Sequence, residues 1–266
     1  MEIPSTGNTR LLKIYQLNNH LTIAHQVQGN AEFFAAQYYE LRKNEGRIYT
    51  DKELPQLPDV GSAHIFYEEW QIRKNSCNRL LKWLRQKQTG LNILEVGCGN
   101  GWLTAQLATI ENATVTGSDI NINELDQAHR VFGKLPNVKF IYGDLYDEIF
   151  EGQAFDVIVF AASIQYFSSL KQILQKAMEH LTLQGEIHII DTHLYKSEEV
   201  EQAAERTTQY FTSIGFPEMA DFYFHHSMEE IKRFEHKILY DPASWLNKFN
   251  INKSPFYHVM ISNDYQ

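Results

Sequence analysis

Glu95-Val-Gly97-Cys98-Gly99-Asn100-Gly101 is the stretch of this 266-residue chain where residue type and spacing are most restrictive. Glycines at alternate positions let a chain turn tightly and let its backbone approach a ligand with no Cβ in the way. The apolar run 92–96 before them reads as a strand, and residues 102–110 after them as a helix. A helix start leaves backbone N–H groups without internal partners, facing whatever the loop encloses. Two acids follow at matching places. Asp119 closes a second short run that begins at Ala113, and Asp144 closes a third, 138–142, after Gly143. A carboxylate at the end of the second strand can accept hydrogen bonds from both hydroxyls of a ribose. One at the end of the third can accept from an adenine amino group. Either aspartate alone reads as an ordinary helix N-cap. Three such features at successive strand ends read together as the rim of a nucleoside site. A dinucleotide fingerprint would carry its third glycine at position 102. Trp102 stands there instead, and the glycine has moved to 101. Glu95 would repel a pyrophosphate beside the loop but suits a cofactor carrying an ammonium group.

The elements that must hold these residues are legible as a pattern. Runs at 92–96, 113–116, 138–142, 155–160 and 185–190 alternate with helical segments. That alternation predicts βαβ units, a buried parallel sheet and right-handed connections. Ligands of such sheets lie outside the C-terminal strand ends, where the glycine turn and both aspartates fall. Asn121 reads as an N-cap, with Glu124 at capping-box spacing. Past residue 190 the alternation breaks. Residues 196–214 read as a long helix with Gly215 just beyond it, and 216–226 are aromatic and irregular. Ser227 caps a short helix, and 236–240 and 256–261 read as a strand pair closing the sheet. Upstream, 9–43 and 64–88 read as helical, with a loop over 44–63. The expected architecture is α/β: a doubly wound, mostly parallel seven-stranded sheet with an antiparallel C-terminal strand pair, plus an N-terminal helical cap. Residues 1–63 are the cap, and 64–266 the sheet domain with a helical insertion at about 196–226.

Composition narrows the function classes. Lys and Arg number 24 against 33 Asp and Glu, a formal net charge of −9, which argues against a nucleic-acid binder. The two cysteines, Cys77 and Cys98, form no CxxC and no Cys/His ligand spacing. No disulfide scaffold or metal site is expected, and a reducing, cytoplasmic compartment is the default. The N-terminus lacks a secretory apolar region, and no run approaches the roughly 18 apolar residues of a membrane span.

Residues 92–101 (NILEVGCGNG), Asp119, Gly143-Asp144 and 155–167 (FDVIVFAASIQYF) together resemble the class I S-adenosylmethionine-dependent methyltransferases. The resemblance covers about residues 64–262, in that family's order. It implies methyl transfer from S-adenosyl-L-methionine to a small organic acceptor through oxygen, nitrogen or carbon, with S-adenosyl-L-homocysteine as product. It also implies roles. Gly97, Cys98, Gly99, Asn100 and Gly101 shape the loop around the methionyl part and ribose, and Glu95 contacts the cofactor's amino end. Asp119 binds the ribose hydroxyls, with Ile120 packed on the adenine. Asp144 and the backbone at Leu145 hold the adenine edge, and Ala161 lies near the methyl group. Ser163, Gln165 and Tyr166 fall on the acceptor side.

Aromatic residues concentrate outside the sheet, in Phe33, Phe34, Tyr38 and Trp70 before it and in Phe211, Phe222 and Tyr223 after it. They predict a lid over a partly apolar pocket, with Tyr38, Trp70 and Tyr223 as acceptor contacts. No residue is assigned as catalytic; His193 and Tyr166 are the candidates for a base. Arg73 reads as a solvated helix position, with a pair to the cofactor carboxylate as the alternative. The alternatives are a non-catalytic binder of the same nucleosides and an NAD-dependent oxidoreductase. The first 63 residues either cap the pocket or swap onto a second copy to make a homodimer.

Overall fold

Apolar side chains occupy nearly every position of 93–96 and 157–160, so both faces of these strands require cover. In the computed structural model, which describes residues 21–23, 29–87, 90–248 and 253–262, both are covered. The strands are β1 (Leu21–Ile23), β2 (Asn92–Val96), β3 (Thr114–Asp119), β4 (Val138–Tyr142), β5 (Phe155–Ala161), β6 (Leu181–Ile190), β7 (His236–Tyr240) and β8 (His258–Ser262). The helices are α1 (Gly29–Asn44), α2 (Tyr67–Leu84), α3 (Trp102–Leu107), α4 (Ile122–Phe132), α5 (Leu170–Glu179), α6 (Val200–Ser213), α7 (Met228–Ile231) and α8 (Trp245–Lys248). Side chains alternate across each strand. Ile93, Val157 and Val159 join the core formed with Leu80 and Leu84 of α2, Leu103 and Leu107 of α3 and Leu125 of α4. Leu94, Val96, Ile158 and Phe160 join the opposite core, with Ile173 and Leu174 of α5 and Ile231 of α7.

Strand order is β1-β4-β3-β2-β5-β6-β8-β7. Pairing is parallel from β1 to β6, while β8 runs antiparallel to both β6 and β7. The seven-stranded sheet with its antiparallel C-terminal pair is therefore present, and β1 extends it at the β4 edge through Leu21↔Phe140. This corrects the helical reading of 9–43, which holds only from Gly29; residues 9–20 and 24–28 lie outside the described residues. Leu-Thr-Ile is too short for its β-branched content to stand out beside helical spacing. The 196–214 helix is likewise divided, into a 3-10 turn at Ser197–Glu199 and α6.

The chain leaves β2 toward β3 and β4, then returns to the other side of β2 at β5. Such a reversal opens a crevice at the C-terminal strand ends. α1 and the 3-10 segment Pro217–Phe222 close over it. Phe34 and Phe222 pack with ring centroids 5.4 Å apart, and Phe33 and Phe222 at 6.1 Å. Leu41, Phe211 and Met219 are buried beneath, so the N-terminal helix and the insertion share one small core. Among the described residues no helix is long and apolar enough to cross a membrane.

Candidate active site

The glycine loop is set by three left-handed residues, Gly97 (φ 75°), Gly99 (φ 52°) and Gly101 (φ 76°), a backbone that penalises any Cβ. Contacts separate their roles. A Cβ on Gly97 would meet Ser163 Cβ at 2.6 Å, and one on Gly101 would meet Ala128 Cβ and the Phe140 ring at 2.9 Å. Gly101 thus gives close helix–strand packing, the part a dinucleotide motif assigns one residue later. Trp102 is buried with its ring edge-on to Trp70, centroids 5.3 Å apart.

Asp119, at the end of β3, fastens this loop. Its Oδ2 accepts from Gly99 N and its Oδ1 from Asn121 N, each at 2.7 Å. Burial raises its pKa, and those amides pull it back. Asp144, after β4, accepts from Tyr146 N at 2.7 Å, and burial raises it as well. Both aspartates line one cavity of about 330 Å³, together with Gly97, Gly99, Ile120, Asn121, Ser163 and Tyr166. Ala31, Phe34, Tyr38 and Phe222 form its lid side. Its size falls in the range of small-molecule sites.

A second, polar cavity of about 130 Å³ adjoins it, sharing Tyr38, Gly97, Gly99, Glu124, Ala162 and Tyr166. Glu95, Cys98, Asn100, Ala161 and Gln165 line it, as do Arg42, Arg47, Arg73 and Trp70. Glu95 is 3% exposed, accepts from Thr104 Oγ1, and is pushed up to about 8 by burial. Ala162 stands here in left-handed backbone, φ 53°. A non-glycine residue held there is a local strain of the kind that collects at binding sites.

Several lining residues were absent from the candidates read in the sequence, Glu124 and Arg42 among them. Glu124 caps nothing with its side chain. Asn121 accepts from the amides of Asn123 and Glu124, but the Glu124 carboxylate lies 3.3 Å from where a Gly99 Cβ would be and faces both cavities. Burial first, then Asp119, pushes it up to about 7. Its capping-box spacing concealed this. Arg42 lay unremarked in a helix rich in charged residues. Arg73 is not a solvated position: it pairs with Glu69 at 3.0 Å and lines the polar cavity.

The remaining candidates divide by environment. The Gln165 amide is engaged at both ends, donating to Ala162 O at 2.7 Å and accepting from Thr192 Oγ1 at 2.9 Å. Ser163 Oγ donates to Val96 O at 2.6 Å and braces the loop. Trp70 donates to Tyr49 Oη at 2.8 Å. Leu145 is fully buried with its side chain in the core. Tyr223 stacks edge-on behind Tyr166 at 5.7 Å, outside the residues lining either cavity. His193 is also outside them, packed on Phe256 at 4.7 Å. Among the described residues no three His, Cys, Asp or Glu side chains are grouped to hold a metal.

Comparisons with known proteins point to the same family of folds. Residues 93–185 match the family model described as a methyltransferase domain. A malonyl-[acyl-carrier protein] O-methyltransferase of Halalkalibacterium halodurans is 30% identical over 128 residues, 45% of this chain and 47% of that protein. An O-methyltransferase of Penicillium expansum, cnsE, is 43% identical over 123 residues, 42% and 44% of the two chains. The chain spans about half the length of the curated relatives it matches. A solved geranyl diphosphate C-methyltransferase from Streptomyces coelicolor A3(2), in complex with S-adenosyl-L-homocysteine among other ligands, superposes with a TM-score of 0.56 at 16% identity. It covers 90% of this chain and 98% of that one, a likeness of fold.

Proposed function

We propose, from the match of residues 93–185 to a methyltransferase domain and from the site's geometry, that the protein transfers a methyl group from S-adenosyl-L-methionine to a small organic acceptor. The observation that carries this is the convergence of Asp119, Asp144 and the glycine loop on one cavity at neighbouring strand ends. The residues fit an adenosyl sulfonium amino acid. Asp119 keeps lone pairs for two ribose hydroxyls while the loop amides hold it in place. Asp144, with Ile120 and Phe167 beside it in the cavity lining, suits an adenine. Glu95 and Glu124 line the polar cavity with no cation within salt-bridge distance among the described residues, Arg42 acting on Glu124 from further off, and there an ammonium and a sulfonium would be welcome. Arg73, beside Glu95 in the polar cavity, is placed for the methionyl carboxylate.

The bound cofactor supplies a methyl carbon already electrophilic. The chain's own work is alignment, which can lower a barrier by roughly 7–11 kcal/mol in favourable cases. The strand-end rim fixes the donor, and Tyr38 and Tyr166, 5.6 Å apart, wall the space beyond Ala161 and Ala162 where the acceptor's lone pair must point. α1 and the Pro217–Phe222 segment of the insertion act as the lid that excludes water. The test is transfer of labelled methyl from S-adenosyl-L-methionine across a metabolite extract. Label in a small-molecule fraction is expected; no transfer with cofactor binding intact would instead make the protein a non-catalytic binder.

A further inference from the structure

We infer that the methyl acceptor carries an anionic oxygen group, a carboxylate, seated on Arg42 between the phenols of Tyr38 and Tyr166. The inference rests on the methyl-transfer reading and names the acceptor class within that site.

Arg42 is a half-buried cation whose donors are only partly matched, with Glu45 in contact and Glu124 acting on it from further off. A guanidinium carries five N–H donors, and among the described residues Arg42 makes one hydrogen bond, from Nη1 to Glu45 Oε2 at 3.1 Å. Its Nε is buried with no partner. Glu45 is itself shared, taking Arg47 Nε at 3.3 Å on the same oxygen and the Tyr210 hydroxyl at 2.6 Å on the other. Arg47 and Arg73 are better compensated, both pairing with Glu69. A buried donor left open, as Nε is here, costs free energy unless a ligand completes it.

The neighbours are donors too. Tyr38 lies under the Arg42 guanidinium at 5.7 Å, and Tyr166 edge-on to Tyr38. Burial holds both phenols protonated, Tyr38 at about 12, so each keeps an O–H to donate. One cation and two hydroxyls bordering one space favour an oxyanion, and guanidinium suits the planar carboxylate in particular. All three residues line the polar cavity, and both tyrosines also line the larger one, where Phe34 and Phe222 offer an apolar wall for the acceptor's body. A carboxylate oxygen is unprotonated at neutral pH, so if it is itself the nucleophile no base is required, in keeping with the absence of a histidine from the residues lining either cavity.

The probe pair is benzoate and its neutral isostere benzamide, titrated by calorimetry into protein saturated with S-adenosyl-L-homocysteine. Benzoate is expected to bind at least about tenfold more tightly, the usual weight of a charge-assisted hydrogen bond. Arg42→Gln should remove that preference and Arg42→Lys restore part of it, with S-adenosyl-L-homocysteine affinity unchanged within about threefold. Equal binding of the two probes, or no benzoate binding to the saturated protein, overturns the inference alone. So does an Arg42→Gln protein that loses the nucleoside instead, which would give the guanidinium to the cofactor. Failure of the unaltered protein to bind S-adenosyl-L-homocysteine overturns the methyl-transfer reading beneath it.

Discussion

Asp119 Oδ2 accepts a hydrogen bond from the backbone N–H of Gly99 at 2.7 Å, so the acid ending one strand holds the loop ending its neighbour. The same carboxylate is the proposed ribose ligand, and it is therefore positioned before any ligand arrives. Asp119→Asn replaces one accepting oxygen by a donor that opposes the Gly99 or Asn121 amide. Affinity for S-adenosyl-L-homocysteine should fall about tenfold to a hundredfold, the range for losing a charge-assisted hydrogen bond. Calorimetry measures it directly, and an unchanged affinity would remove Asp119 from the site.

Gly97→Ala should destabilise the protein through two separable costs. Left-handed backbone at φ 75° costs a Cβ-bearing residue about 1–2 kcal/mol. The 2.6 Å approach to Ser163 Cβ adds about 1–3 kcal/mol of overpacking. Ser163→Gly by itself loses the brace to Val96 O, so the comparison is made in its background, where Gly97→Ala should cost less by the second part and still carry the first. Urea midpoints of the single and double variants decide this; no cost of Gly97→Ala in that background would mean that the backbone conformation carries no strain.

Cofactor binding should release protons near neutrality. Glu95, held at about 8 by burial, is largely protonated at pH 7 when the site is empty. An ammonium group beside it would lower that value, so binding displaces the proton. Affinity for S-adenosyl-L-methionine should therefore rise with pH up to about 8 and level off above it. Calorimetry in buffers of different ionisation enthalpy counts the protons, and Glu95→Gln should abolish the Glu95 part of the release.

A separate cluster governs acid stability. His258 Nε2 lies 3.0 Å from His188 Nδ1, and His188 Nε2 lies 3.2 Å from Glu186 Oε2, beneath the β6–β8 pairing. Burial lowers both histidines, His258 to about 2. Their folded pKa values lie below the unfolded value of 6.5, so the unfolded chain binds the extra protons, and stability is lost as pH falls below it. His258→Gln should lose less stability than the parent between pH 7 and pH 4 in urea titrations. A parallel loss in both proteins would remove His258 as a cause.

Strand ends, the glycine turn and the two aspartates were legible because local chemistry dictates them. Val138–Tyr142 and His236–Tyr240 match their sequence runs residue for residue. Side-chain direction was not legible. Glu124 has the spacing of a capping acid and turns into the cavity instead, because Asn121 alone satisfies the amides of the helix start. Arg42 sits in a helix with Glu40, Lys43 and Asn44 around it, and only its tertiary place in the polar cavity, with Tyr38 and Tyr166, distinguishes it from a surface residue. Strand β1 was hidden because three residues carry too little periodicity to compete with a flanking helical pattern.

The most direct measurement is calorimetric titration of the unaltered protein with S-adenosyl-L-homocysteine, with NAD as the parallel ligand. One site saturated by the thioether nucleoside, and no heat from NAD, is the predicted result. Binding of NAD in its place, or of neither, would contradict the central claim that this rim was built for an adenosyl amino acid.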